Sequence, residues 1–188
     1  MRCASLGLGC CSRCHPFILT EDLRLILKKH PKDRIRVIVE VNTIPTIYLH
    51  HLLDPEMKQI YYFWGGTYYR LQTKFINDSC TALLPGRGCI LGNYRPLICK
   101  VWPFWWESGT DLSRDDFPIE INGDCTMATH WGMSLKEILR EFGCSESSIR
   151  KDLLALNRSI KEHGEILREA SKRKVPPEKL LDYILDSI

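Results

Sequence analysis

The chain has 188 residues, 44% of them hydrophobic, a net charge of +3 and nine cysteines. That length suits one domain with a modest extension, and the small charge, its bases interleaved with acids, does not call for nucleic acid. No run of about 18 apolar residues occurs, which excludes a membrane-spanning helix, and the odd cysteine count argues against a fully paired disulfide framework.

The opening MRCASLGLGCC carries one basic residue and lacks the long apolar stretch of a secretory leader, so a cytoplasmic location is expected. Cys10, Cys11 and Cys14 follow in CCSRC. Thr20 then precedes EDLRLILKKH, where acids lie at the start and bases near the end, as a helix dipole favours. Leu23, Ile26 and Leu27 share one face of that predicted helix, and Pro31 helps stop it. RIRVIVEV alternates Ile35, Val37, Val39 and Val41 against Arg34, Arg36, Ile38 and Glu40, which predicts a strand. IYYFW and TYYRLQT flank Gly65 and Gly66 and predict a hairpin, because adjacent glycines supply the positive backbone angles of a tight turn. His50 and His51 lie near its expected edge.

Between Ser79 and Glu107 the sequence has little periodicity and much turn chemistry, including Pro85, Gly86, Gly88, Gly92, Asn93, Pro96 and Pro103. Such a segment needs an organiser, and thiolate coordination replaces the burial that irregular loops cannot provide. Ser134 then opens a helix over LKEILREF, and after Gly143 a longer helix runs from about Ser145 to Lys174. Within it Ile149, Leu153, Leu156, Ile160, His163, Leu167 and Ala170 form an apolar seam with one polar member. The seam needs a covering surface: its own domain, the last helix in PPEKLLDYILDSI, or another protein. Pro176 and Pro177 break the chain before that last helix.

The cysteines carry the chemistry. Thiolates from a short loop and a distant loop are how zinc or the irons of a cluster are held, and Cys10, Cys11 and Cys14 with Cys80, Cys89 and Cys99 fit that pattern. Arg95 and Lys100 are placed to offset thiolate charge. Trp102, Phe104, Trp105 and Trp106 either keep a centre dry or fill the core. His15 adjoins Cys14 and His130 follows Cys125 by five, although a lone histidine is more often a core or surface residue. GxxxxGKS/T and HExxH are absent. Cys10 and Cys14 have the first interval of a radical adenosylmethionine triplet, but Phe17 holds the next place.

The stretch from Cys80 through Cys89 to GNYRPLICKVWPF resembles the YkgJ-type cysteine-cluster family, whose domain is described as zinc- or iron-chelating. The family shows a double cysteine, a helix with an acidic start, a cysteine pair, and an Arg-Pro-x-x-Cys-basic-x-x-Pro-Phe ending. Here these are Cys10 and Cys11, TEDLRLI, Cys80 and Cys89, and Arg95, Pro96, Cys99, Lys100, Pro103 and Phe104, with Cys125 in GDC as the continuation. The resemblance covers about residues 3 to 142. In one departure Gly7 stands where the family has a cysteine, and either Cys14 or Cys3 replaces it.

The expectation is therefore an α+β fold: a small, irregular, cysteine-rich metal-binding domain over residues 1–142, with a short hairpin or sheet, and a helical extension over 143–188. Its ligands are drawn from Cys10, Cys11, Cys14, Cys80, Cys89, Cys99 and Cys125, holding a [4Fe-4S] cluster or zinc in one or two centres. An accessory or electron-transfer role is expected, with another protein docked on the C-terminal helices. The resemblance also implies an alternative, a cluster-containing lysine methylase, since some similar proteins are flagellin lysine methylases.

Overall fold

The first helix, α1 (Thr20–Leu27), buries Leu23 and Ile26 as its apolar spacing requires. The computed structural model describes residues 11, 14–84, 87–107, 109–113, 116–123 and 125–188, apart from the side chains of residues 126, 130 and 131. Thr20 is the first helical residue, not the cap; Leu19 is the N-cap, and the Asp22 carboxylate accepts from the Leu19 amide at 2.9 Å.

Pro31 is the N-cap of a second helix, α2 (Lys32–Ile38), and the strand predicted over RIRVIVEV is confined to its end, in β1 (Val39–Thr43). Burial explains the correction. Ile35 and Ile38 are both fully buried, whereas Val37, which a strand would bury beside Ile35, is 52% exposed. The buried pair joins one apolar cluster with Leu180 and Ile184 near the C-terminus. Lys32 and Arg36 bond Asp186 and Asp182 at the rim; such exposed pairs contribute little beside the apolar contact.

The hairpin forms as expected between β2 (Tyr62–Trp64) and β3 (Thr67–Thr73), with Gly65 and Gly66 at φ 53° and 82°. β1 pairs antiparallel on the other side of β3, giving the order β1-β3-β2. Because β2 covers only the first part of β3, residues 16–18 take the remaining edge. Ile18 donates to the Leu71 carbonyl and the Thr73 amide to that of Pro16, each at 2.9 Å.

The segment without periodicity consists of small ladders: β4 (Phe75–Ile76) with β5 (Ser79–Cys80), β6 (Leu83–Leu84) with β7 (Gly88–Cys89), then α3 (Leu97–Val101), and β8 (Phe104–Trp106) with β9 (Ile119–Ile121). α4 (Thr126–Trp131) follows Cys125. α5 (Leu135–Phe142) begins with a reciprocal cap in which the Ser134 amide donates to Glu137 at 2.8 Å, and it ends at Gly143 with φ 64°. α6 (Glu146–Lys172) is capped by Ser145, and α7 (Pro177–Asp186) starts after Pro176.

α6 is the spine. Ile149, Leu153, Leu156 and Ile160 line one apolar cluster with Leu97, Val101, Phe104 and Trp106; Leu167 and Ala170 line the other with Leu23, Ile26 and Leu71. The seam is thus covered from within the chain. No helix among the described residues is long and apolar enough to cross a membrane.

Gly164 lies where α6 crosses the turn Met57–Ile60, and a Cβ there would meet Gln59 Cβ at 2.9 Å. Helix propensity favours alanine by about 1 kcal/mol, but overpacking costs about 1–3 kcal/mol. Gly164→Ala is therefore expected to lower stability by about 1 kcal/mol, read as a lower Tm against wild type.

Candidate metal centre

Each cysteine of the irregular segment sits where a tight turn or a helix start fixes its backbone. Asn77 and Asp78 adopt positive φ, 50° and 56°, and close the β4–β5 turn that ends at Cys80. Cys89 on β7 lies opposite Leu83. Cys99 is the third residue of α3, whose N-cap is Pro96. Cys11 is half-buried.

Cys11, Cys80 and Cys99 each feel the charge of other cysteines from remote parts of the chain. Burial first, then the charges of Cys80, Cys89 and Cys14, push the Cys11 thiol up to about 11. Cys99 is raised well above the ordinary thiol range, by burial first and then by Cys11, Asp22, Cys80 and Cys89. Burial also raises Cys80, against the Ala82 amide and the Thr73 hydroxyl, which stabilise its thiolate. Mutually opposed ionisation in a shared site is what a bound cation relieves.

One of two unsatisfied hydroxyls marks the same place. The buried Thr73 and Thr81 oxygens have no hydrogen-bond partner among the described residues. Thr81 follows Cys80 in the chain, and Thr73 bears on the Cys80 sulfur. A thiolate at Cys80 would give the Thr73 hydroxyl an acceptor. The chemistry of the donors, four cysteines with amide and hydroxyl donors around one of them, is that of a thiolate-ligated metal. No three His, Cys, Asp or Glu side chains among the described residues stand as a ready-made site for a single ion.

Other expected site residues occupy different places. The Tyr48 hydroxyl bonds the Cys14 sulfur, and burial with the Cys14 charge pushes that phenol up to about 12. Cys125, 5% exposed, is the N-cap of α4 in the cluster lined by Ile149 and Leu153. Cys10 lies outside the described residues, as does Cys3. Cys144 caps the end of α5 through its sulfur, 3.6 Å from the Leu139 carbonyl. Lys100 lies on α3, where its charge acts on Asp22; Arg95 ends the turn Gly92–Tyr94, half-buried. Phe104 and Trp106 are core residues, with Trp105 stacked on Trp106 at 4.4 Å.

The histidines are engaged elsewhere. His15 stacks on Phe75 at 4.0 Å. His50 and His51 fall in a 3-10 helix, Thr46–Leu53, and His51 Nδ1 is 2.9 Å from the Tyr61 hydroxyl. Burial lowers His51 to about 4, aided by His50 and Arg70. The side chain of His130 lies outside the described residues.

Two residues of consequence were not singled out from the sequence as site residues. Arg70 is 1% exposed, donates to Gln72 Oε1 at 3.1 Å and the His15 carbonyl at 2.8 Å, and lies 4.5 Å over the Tyr48 ring. Asp22 is fully buried and accepts from the amides of Leu19 and Leu97 at 2.9 and 2.7 Å. Burial raises this carboxyl to about 7 despite those two bonds. The acidic helix start was visible; that one acid reaches α3 was not.

Compared with family models, curated proteins and solved structures, the chain matched none.

Proposed function

We propose that the protein is a metal-centre protein of the YkgJ type, in which Cys11, Cys80, Cys89 and Cys99 hold a [4Fe-4S] cluster or zinc. The observation that supports this is that Cys11, Cys80 and Cys99 each feel the charge of other members of the set, Cys89 included, although they lie far apart in the chain. Between the two occupants, the cluster is favoured. The adjacent Cys10 and Cys11 and the aromatic residues Trp102, Phe104, Trp105 and Trp106 beside Cys99 suit a bulky centre better than a compact zinc knuckle.

The role that follows is accessory or electron-transferring. Since the seam of α6 is covered inside the chain, a docking protein would use the outward face, where Lys151, Arg158, Lys161, Glu165 and Arg168 are exposed. When bound, a cluster would supply one-electron chemistry and zinc a closed structural clamp.

The test is protein purified without oxygen, with its absorption spectrum and its iron, sulfide and zinc content. Broad absorbance near about 400 nm with matching iron and sulfide is the result expected of thiolate-ligated iron. Colourless protein with stoichiometric zinc would change the metal and keep the ligands. Protein that takes up neither, even after reconstitution with iron and sulfide or with zinc, would overturn the reading.

A further inference from the structure

α3 has five residues, too few to be stable as an isolated helix, and its first amides need partners that Pro96 at the N-cap does not offer from its side chain. The partner comes from far away in the chain. Asp22 Oδ1 accepts from the Leu97 amide at 2.7 Å, while Oδ2 accepts from the Leu19 amide at 2.9 Å. One carboxylate therefore serves the starts of two helices, α1 and α3, and it is completely buried between them.

The start of α1 is itself anchored. The Thr20 amide donates to His163 Nδ1 at 3.2 Å, and the Thr20 hydroxyl lies 2.9 Å from the same nitrogen. A chain of contacts thus runs from α6 through Thr20 and Asp22 to the residue two places before Cys99. A local serine or aspartate cap at position 96 would satisfy α3 alone. A shared buried carboxylate also sets where α3 sits relative to α1.

We propose that Asp22 is a positioning residue for Cys99: by clamping the start of α3 to the start of α1, it holds the Cys99 sulfur against Cys11, Cys80 and Cys89. This rests on the reading of Cys99 as a metal ligand. An asparagine there keeps one acceptor oxygen and turns an amide donor toward a backbone N–H; an alanine removes both contacts.

The experiment has two readouts on wild type, Asp22→Ala and Asp22→Asn. In metal-free, reduced protein, iodoacetamide labelling of each cysteine is followed by mass spectrometry under native conditions. The Cys99 rate is expected to rise about tenfold in Asp22→Ala, while those of Cys125 and Cys144 stay unchanged. In parallel, cobalt(II) uptake is followed by its thiolate charge-transfer band, and affinity is expected to fall by about 10–100-fold, as for other groups that orient a ligand. If Asp22→Ala has no native circular dichroism, Asp22→Asn carries the same comparison. Unchanged Cys99 labelling in the folded variant, or an equal rise at every cysteine, would overturn the positioning role. Wild type with neither a cobalt band nor iron and sulfide after reconstitution, but with selective Cys99 exposure in the variant, would instead overturn the metal reading and leave the clamp standing.

Discussion

Cys99→Ser is expected to abolish stoichiometric metal, with a loss of affinity greater than the about 100-fold that removal of an outer-shell partner produces. Cys99 feels the charges of Cys11, Cys80 and Cys89 together, so its removal opens the whole set. Serine keeps the size, but its hydroxyl stays protonated where a thiol gives up its proton to a metal. Cys80→Ser should act alike, since the amide and hydroxyl donors around that sulfur would face a poor ligand. Cys144→Ser is the control, with its sulfur engaged on the Leu139 carbonyl. Cys14→Ser is expected to retain the centre, because Tyr48 holds that sulfur. Metal analysis across this series, each variant checked by circular dichroism, reads the ligand set directly. Full occupancy in Cys99→Ser would remove it from the site.

The second large effect concerns His163, fully buried within α6 and lowered to about 4 by burial. Its Nδ1 accepts from the Thr20 amide, which leaves Nε2 carrying the proton, and Nε2 has no partner among the described residues. In the unfolded chain the ring takes up a proton below pH 6.5, whereas in the folded chain it does so only near pH 4. Between those values the unfolded state binds more protons, so stability rises with pH. The contribution is complete above pH 6.5 and is lost as pH falls toward 4, amounting to about 3 kcal/mol at 1.36 kcal/mol per unit. Asp22 acts in the opposite sense, because its folded value near 7 exceeds the ordinary 3.8 and its contribution is lost as pH rises between them. Denaturant unfolding of wild type and His163→Gln, subtracted at each pH, isolates the histidine. The difference should be flat above pH 6.5 and fall with decreasing pH below it. A difference independent of pH from 4 to 7 would sink this account.

What could be read from the sequence was whatever repeats or punctuates. Gly65 and Gly66, Ser134, Ser145 and Pro176 each act within a few residues, and each element they border is present. The α+β class followed from them. RIRVIVEV was misread because Ile35 and Val39 satisfy both periods, while Val37 fits only the strand and Ile38 only the helix, and the neighbouring surface decides between them. Contact with α7 then selects the helix. The ladders around Cys80 and Cys89 are two residues long, shorter than any pattern. At the site, the spacing of the cysteines suggested two groups but could not show that Cys11 feels Cys80 and Cys89 besides its neighbour Cys14, nor that Tyr48 bonds Cys14. Asp22 was invisible as a link because the amide it caps lies 75 residues away.

The order of the elements has a consequence for assembly. Synthesis proceeds from the N-terminus, at about 5–20 residues per second, and Cys11, Cys80, Cys89 and Cys99 all precede α6. Both apolar clusters lack a wall until Ile149 through Ala170 have emerged. For an interval of seconds the nascent chain would present its thiols on an unfinished scaffold, and a metal delivered then would enter before the last long helix seals the interior.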